Sequence, residues 1–383
     1  VRQGRRHDRC SVHRTPEKLE EFCRVLGECR YFRAYIYLCL VTRFGDVPVL
    51  RQNTQAKVSR DPASMAWELV EEDLDAASGF LNGLSADSFY YVSPAAVTAL
   101  KARVKLYLGK KGEAKELAES LIANPNYALD DFDKIFRSKA NKEVIFAFSC
   151  LTEDGSSIKI SNQFYSYNHP NKGSYNYRPA GDVMTMYADN DLRKEVSITT
   201  LDNLNFVNKY PSGQTGSDPV VISRLAEMYL ISAEAQGLNG GLDRLNELRE
   251  KRGLDRVSPG NEADFLDAVL QERRLEFLAE GFRWYDLVRT GKATQTLVFA
   301  YSIASQISSK RCPLMTLVSK PKAVILSARG SSAITSSVLP SILKWLRSMI
   351  TTQFVSLKCE IAMNASQQEP SSSSPSPVIT YVV

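Results

Sequence analysis

The sequence predicts a mainly α fold: a right-handed, tetratricopeptide-like helical solenoid with one inserted loop- and strand-rich region. Three observations carry the prediction. Apolar residues recur at helical spacing through most of 16–123 and 221–290. Small and large residues alternate across two helix–turn–helix units, as stacked hairpins require. Residues 141–220 lose that periodicity, and insertions of this kind collect on one face of a repeat fold.

The first helix is expected from Pro16 to Phe44, with Leu19, Phe22, Leu26, Phe32, Ile36 and Leu40 at helical spacing. Thr15 is placed to cap it, and Pro16 suits the first helical position. Gly45-Asp46 stops it before the extended Val47-Pro48-Val49-Leu50. A second helix is expected from Pro62 to Phe80, capped by Asp61. The next pair runs from Ser93-Pro94 to Leu108, turns at Gly109-Lys110-Lys111-Gly112, and returns over Glu113–Ala123. Ala99, Ala102 and Leu106 face Ala114, Ala118 and Leu121, small residues allowing close approach. The pattern returns as a helix over Val221–Leu238, a turn at Asn239-Gly240-Gly241, and a helix over Leu242–Arg252. Two more helices are expected over Glu262–Ala279 and Phe282–Thr290, and a strand over Glu143–Cys150.

The division that follows is a head over 1–14, helical repeats over 15–140, the insertion over 141–220, repeats over 221–292 and a tail over 293–383. The last 92 residues hold 19 Ser, one Gly and no Asp, which reads as a tail foreign to the fold, disordered or out of frame. The formal charge of +5 resides in the ends, since residues 15–291 carry 34 basic and 40 acidic side chains. That balance argues against nucleic acid as a partner. The seven cysteines form no CxxC pair and no metal-ligand spacing with the three histidines, so neither a metal nor a cofactor is expected. The first residues are charged, with no apolar stretch of a secretory signal, and read as a truncated start.

Particular segments resemble the SusD/RagB family. Gly27-Glu28-Cys29-Arg30-Tyr31-Phe32-Arg33-Ala34 is similar to its "GEARFLRA" helix, with Cys29 where Ala is usual. Phe44-Gly45-Asp46-Val47-Pro48 is similar to its "FGDVP" turn. Glu272-Arg273-Arg274-Leu275-Glu276, followed by Glu280-Gly281-Phe282-Arg283-Trp284-Tyr285-Asp286-Leu287, resembles its "ER..E…EG.R..DL.R" segment. Tyr187, Asp189, Asp191 and Arg193 resemble a "Y…D.R" element. The resemblance covers roughly 15–291, the extent of the regular helical patterning. It makes Arg33, Gly45, Asp46, Pro48, Glu272, Arg273, Glu280, Gly281, Arg283 and Asp286 a structural signature. It implies a glycan- or nutrient-binding lipoprotein of the cell outer membrane that hands oligosaccharide to a SusC-like TonB-dependent transporter. Membrane contact would come through a lipid anchor absent from this chain.

No catalytic residue is expected. Glu272, Glu276 and Glu280 stand at i, i+4 and i+8 on one helix face. Three aligned carboxylates suit acid/base chemistry, but paired with Arg273, Arg274, Arg283 and Arg289 they suit ties between helical units better. The candidate ligand site is the segment Gln163–Arg178, where Phe164, Tyr165, Tyr167, Tyr175 and Tyr177 alternate with Asn168 and Asn176 and end at Arg178. Rings stack on the apolar faces of sugars while amides and a guanidinium bond the hydroxyl rim. The same tyrosines also suit packing of the insertion against the solenoid. A helical scaffold for protein partners is the alternative function, and a helical glycoside hydrolase a third.

Overall fold

Helix α1 (Pro16–Phe44) lies along α2 (Ala63–Phe80), and α3 (Pro94–Tyr107) along α4 (Lys111–Ile122), so the N-terminal part is two consecutive hairpins. The computed structural model describes residues 16–137, 140–150 and 160–296. The readings of 1–14, of Thr15 as a cap and of the tail beyond residue 296 fall outside the described residues. Tyr31, Ala34, Leu38 and Val41 of α1 bury against Ala66, Leu69, Val70 and Ala77 of α2 in one core. Arg33 fastens the pair: its Nε and Nη2 donate to the buried Asp73 carboxylate at 2.6 Å each, and Arg30 Nη1 adds a third bond at 2.7 Å.

The turn after α1 does more than stop a helix. Gly45 adopts φ +68°, open to glycine at little steric cost. Asp46 Oδ1 accepts from the Ala63 N–H at 2.9 Å, so Asp46, and not the expected Asp61, caps α2 across the loop. Asp61 instead accepts from Val49 N at 2.8 Å, pinning the extended stretch. The Pro48 carbonyl accepts from the Tyr37 hydroxyl at 3.2 Å.

After α4 the chain leaves the solenoid. A short helix α5 (Phe132–Ile135) leads to strand β1 (Val144–Phe148), buried along its length. The short helix α6 (Lys194–Ser197) enters a hairpin of β2 (Ile198–Leu201) and β3 (Leu204–Val207), turned by Asp202 and Asn203, both at positive φ. Strand β4 (Val220–Arg224) then pairs antiparallel with β1. The residues Val221–Arg224, expected as the first turn of a helix, are therefore a strand. Val221 and Ile222 are β-branched, and the ladder of β1 satisfies their backbone groups.

The solenoid resumes with α7 (Leu225–Gln236), which packs on α4 as though the insertion were absent. It continues through α8 (Leu238–Lys251), α9 (Glu262–Glu276) and α10 (Arg283–Arg289). The reversal between α7 and α8 falls on Gly237 alone, at φ +69°. Asn239-Gly240-Gly241, expected as the turn, form the opening of α8. Gly241 is needed for packing: a Cβ there would stand 2.1 Å from the Ala233 carbonyl oxygen of α7. The architecture is a mainly α, tetratricopeptide-like helical solenoid with a loop- and strand-rich insertion. Among the described residues no helix is long and apolar enough to cross a membrane.

Candidate functional site

The insertion is bolted to the solenoid through β4. Arg103 of α3 donates to Glu227 at 2.6 and 2.7 Å and to the Ile222 carbonyl at 2.5 Å, all buried. Phe132, Phe136, Val144, Phe164, Val207 and Tyr210 form the insertion's own core. Above it the chain doubles back, and 162–166 lies beside 173–177. Tyr177 N donates to Gln163 O, Tyr175 N to Tyr165 O and Gly173 N to Ser166 O, at 3.0, 3.0 and 3.1 Å.

That pairing has the strand's period of two, and it sorts the side chains. Tyr175 and Tyr177 lean inward, whereas Ser174, Asn176 and Arg178 are on the outer side. The Tyr175 hydroxyl donates to Asn205 O at 2.8 Å, with its ring 5.2 Å from Phe206. Its φ of +49° is unusual for a bulky residue and holds the ring in that orientation. Tyr177 is half-buried beside Phe164. Asn176 Nδ2 donates to Gln163 Oε1 at 2.8 Å, and Asn162 Nδ2 to Ser174 Oγ at 3.2 Å.

Phe164 and Tyr165, expected among the ligand-facing rings, are buried. Phe164 stacks on Tyr210 at 5.8 Å. Tyr165 lies between His169 and Phe206, at 4.4 and 5.9 Å, and its hydroxyl donates to Asn208 Oδ1 at 2.8 Å. Burial pushes that hydroxyl up to about 12. The physical reason is supply: a Ser- and Asn-rich segment offers few other groups to fill the space over α5 and β3. Of the five aromatics, Tyr167 alone is open to solvent, 75% exposed at the tip of the doubled-back loop. Asn168 stands exposed beside it. His169-Pro170 sits in a turn, Lys172 N donating to His169 O at 2.8 Å.

Sequence reasoning missed two members of this outer surface, Lys172 and Ser174. Nothing in a polar loop marks them in advance except the alternation itself, which places Ser174 with Asn176 and Arg178.

The three aligned glutamates lie elsewhere, in a buried ion network. Glu276 accepts from Arg193 Nη1 at 2.8 Å, Arg224 Nη1 at 2.5 Å and Arg252 Nη2 at 2.8 Å. Glu272 accepts from Arg193 and Arg249, at 2.6 and 2.8 Å. Glu280 accepts from Arg224 and from Lys209 Nζ, 2.8 Å away. Glu143 and Asp191 complete five carboxylates against those five cations. The partners therefore differ from the expected Arg273, Arg274, Arg283 and Arg289. Only Glu272 and Glu276 stand on α9, which ends at Glu276 and not at the expected Ala279. Glu280 lies in the turn beyond it, and all three face cations of the insertion, β4 and the end of α8. Arg273 and Arg289 share Asp286 at 2.7 and 2.8 Å, Arg274 pairs with Asp182, and Arg283 reaches the Leu270 carbonyl at 3.4 Å. Gly281, at φ +85°, lets the chain pass from α9 into α10. Tyr187 closes the same region, its hydroxyl donating to Leu275 O at 2.8 Å.

Electrostatics follow from this burial. Desolvation works against the Glu276 charge, but Arg252, Arg224 and Arg193 outweigh it and hold the carboxyl well below the ordinary range. For Lys209 burial wins over the attraction of Glu280, pulling the amine down to about 8. Its ammonium also sits 4.7 Å from the Phe136 ring centroid, a cation–π contact. None of these carboxylates is left without a cationic partner.

Comparison with known proteins agrees with the architecture. The SusD family model matches residues 203–311, running past Lys292, where the composition changes. The SusD-like protein P38 of Formosa agariphila is 26% identical over 359 aligned residues, covering 75% of this chain and 70% of that protein. The SusD-like protein P2 of the same organism is 24% identical over 336, covering 69% of this chain and 65% of its own. Among solved structures, a SusD superfamily protein from Bacteroides vulgatus superposes with a TM-score of 0.64 at 21% identity, over 73% of this chain and 70% of its own. A laminarin-binding SusD-like protein gives 0.61 at 23% identity, over 73% of each chain. Family-model match, relatives and shared helical architecture converge: over its C-terminal part the chain is similar to the SusD family, and it shares the fold of SusD-like proteins.

Proposed function

We propose that the chain is a non-catalytic oligosaccharide-binding protein whose contact surface is the outer side of the 162–178 loop pair. The observation that carries the reading is Tyr167, a ring open to solvent at the loop tip, with Asn168, Asn176 and Arg178 exposed on the same doubled-back segment. An exposed ring flanked by amides offers a sugar both stacking and hydrogen bonds. Half-buried Tyr175 and Tyr177 contribute their edges, and Phe164 and Tyr165 support the loop from below. The saturated pairing of Glu272, Glu276 and Glu280 favours binding over hydrolysis, since an acid/base pair needs carboxyls that can take and release a proton beside a substrate.

Two neighbours of the same fold support a glycan ligand by what they are: the laminarin-binding protein, and a surface glycan-binding protein A from Bacteroides thetaiotaomicron in complex with laminarihexaose. By family, the protein works at the outer-membrane surface, held by a lipid anchor, and passes its oligosaccharide to a SusC-like TonB-dependent transporter. Capture is by stacking and hydrogen bonding, with no bond broken.

Affinity electrophoresis in gels containing soluble polysaccharides tests the site. Tyr167→Ala is expected to weaken retention roughly three- to tenfold, the scale of one lost aromatic contact. Helicity by far-UV circular dichroism should not change, because the ring supports nothing beneath it. Equal retention of both proteins removes the site assignment.

A further inference from the structure

We infer that the glycan is acidic: the outer side of the 162–178 loop pair takes a uronate- or sulfate-bearing oligosaccharide through Arg178 and Lys172. The inference rests on the reading above that this surface binds sugar, and adds the charge of the ligand. Between Ile160 and Gly181 the sequence holds Lys172 and Arg178 and no Asp or Glu, within a 15–291 stretch whose acids outnumber its bases. Lys194 of the insertion and Arg274 of α9 are by contrast paired, Lys194 with Asp189 at 2.6 Å and Arg274 with Asp182. Lys172 and Arg178 are exposed and make no ion pair among the described residues. The positive charge is therefore available where the open ring and amides are.

The placement of each cation suits an anion on a sugar. Arg178 follows Ser174 and Asn176 at every second residue, so hydroxyl, amide and guanidinium line one edge. A guanidinium offers two parallel N–H donors that match a carboxylate or a sulfate. Lys172 is held at the loop tip with Tyr167, at φ +37°, by the bond from its N–H to His169 O. A ring, a two-pronged donor and a point charge then meet the face, the acidic group and a second acidic group of a chain. The composition points the same way: carboxylates are strong acceptors for the hydroxyl rim of neutral sugars, and residues 160–181 hold none.

Retention of the purified chain is compared on alginate for uronate, carrageenan for sulfate, agarose and a neutral β-glucan for uncharged sugar, and polyglutamate for charge without sugar. An acidic polysaccharide should be retained and the neutral ones should not, with the uronate and sulfate arms showing which group is read. Arg178→Gln and Lys172→Gln should each weaken that retention about three- to tenfold, as for loss of a charge-assisted contact. Raising salt from about 20 mM to about 500 mM should weaken it further, because exposed charges are screened. Both side chains are on the surface, so unchanged circular dichroism separates lost binding from lost fold. Retention on neutral glucan that Tyr167→Ala abolishes and the Gln variants leave intact overturns this inference and keeps the binding reading. Polyglutamate retained as strongly as alginate and carrageenan also overturns it. Retention on no polysaccharide removes both.

Discussion

Replacing Glu276 with alanine is expected to cost about 3–5 kcal/mol, because it leaves buried guanidiniums without their counter-charge. Arg193, Arg224 and Arg252 all donate to this carboxylate, and each is essentially excluded from solvent. Removing it leaves the five cations facing Glu143, Asp191, Glu272 and Glu280, one charge short. Domains are stable by only about 5–15 kcal/mol, so the variant should unfold at much lower urea or accumulate insoluble. Glu276→Gln keeps the shape and one acceptor and should fall between the two. A urea midpoint for Glu276→Ala equal to that of the parent would contradict a stabilising network. The same group sets an acid limit. Its folded carboxyl titrates below its ordinary value of 4.5, so its stabilisation is present at and above that pH. It is lost as pH falls toward the depressed folded value. The buried Asp286, lowered by Arg273 and Arg289 against its desolvation, adds in the same direction.

Gly241→Ala should be the most damaging of the single-methyl changes, at about 1–3 kcal/mol or a little more. The added Cβ would meet the oxygen, carbon and Cα of Ala233 at 2.1, 2.7 and 2.8 Å, and a backbone inside a packed helix cannot step aside. The α7–α8 pair must separate, opening the core around Leu230 and Leu245. Gly240→Ala, one residue earlier, is the control. It meets only the flexible Gln236 side chain at 3.1 Å, and alanine is the better helix former. It should be neutral or slightly stabilising. Thermal unfolding of the two variants in parallel reads the difference, and similar losses from both would show that the glycine serves flexibility instead of close packing.

These glycines also show where the sequence was legible. Long periodic stretches such as α1 and α3 declare themselves as helices, but the face α1 buries is Gly27, Tyr31, Ala34, Leu38 and Val41, and Leu19 and Phe22 of the expected apolar series are exposed. Asn239-Gly240-Gly241 reads locally as a turn, and only the approach of α7 reveals its use. Val221–Arg224 fails for a related reason: a short apolar run fits a helix or a strand until its partner, some 75 residues earlier in the chain, is known. The charge partners are hidden by distance. Asp73 answers Arg33, and Glu143 answers Arg252, across 40 and 109 residues with no local pattern. Asp46 reached α2 across a loop where the adjacent Asp61 looked the natural cap. The loop pair was half legible. Its aromatic and amide composition is plain, and strict alternation over Gly173–Arg178 already implied that Tyr175 and Tyr177 share the face opposite Asn176 and Arg178. Which face turns inward is decided by Phe206 and Tyr210, well outside the segment.

Hydrogen–deuterium exchange with and without a bound oligosaccharide tests the central claim most directly. Slower exchange is predicted at backbone amides of 162–178, with none along α3, α4 or α8. Protection spread over those helices while the loop pair exchanges as before would contradict it, and would place the ligand on the solenoid.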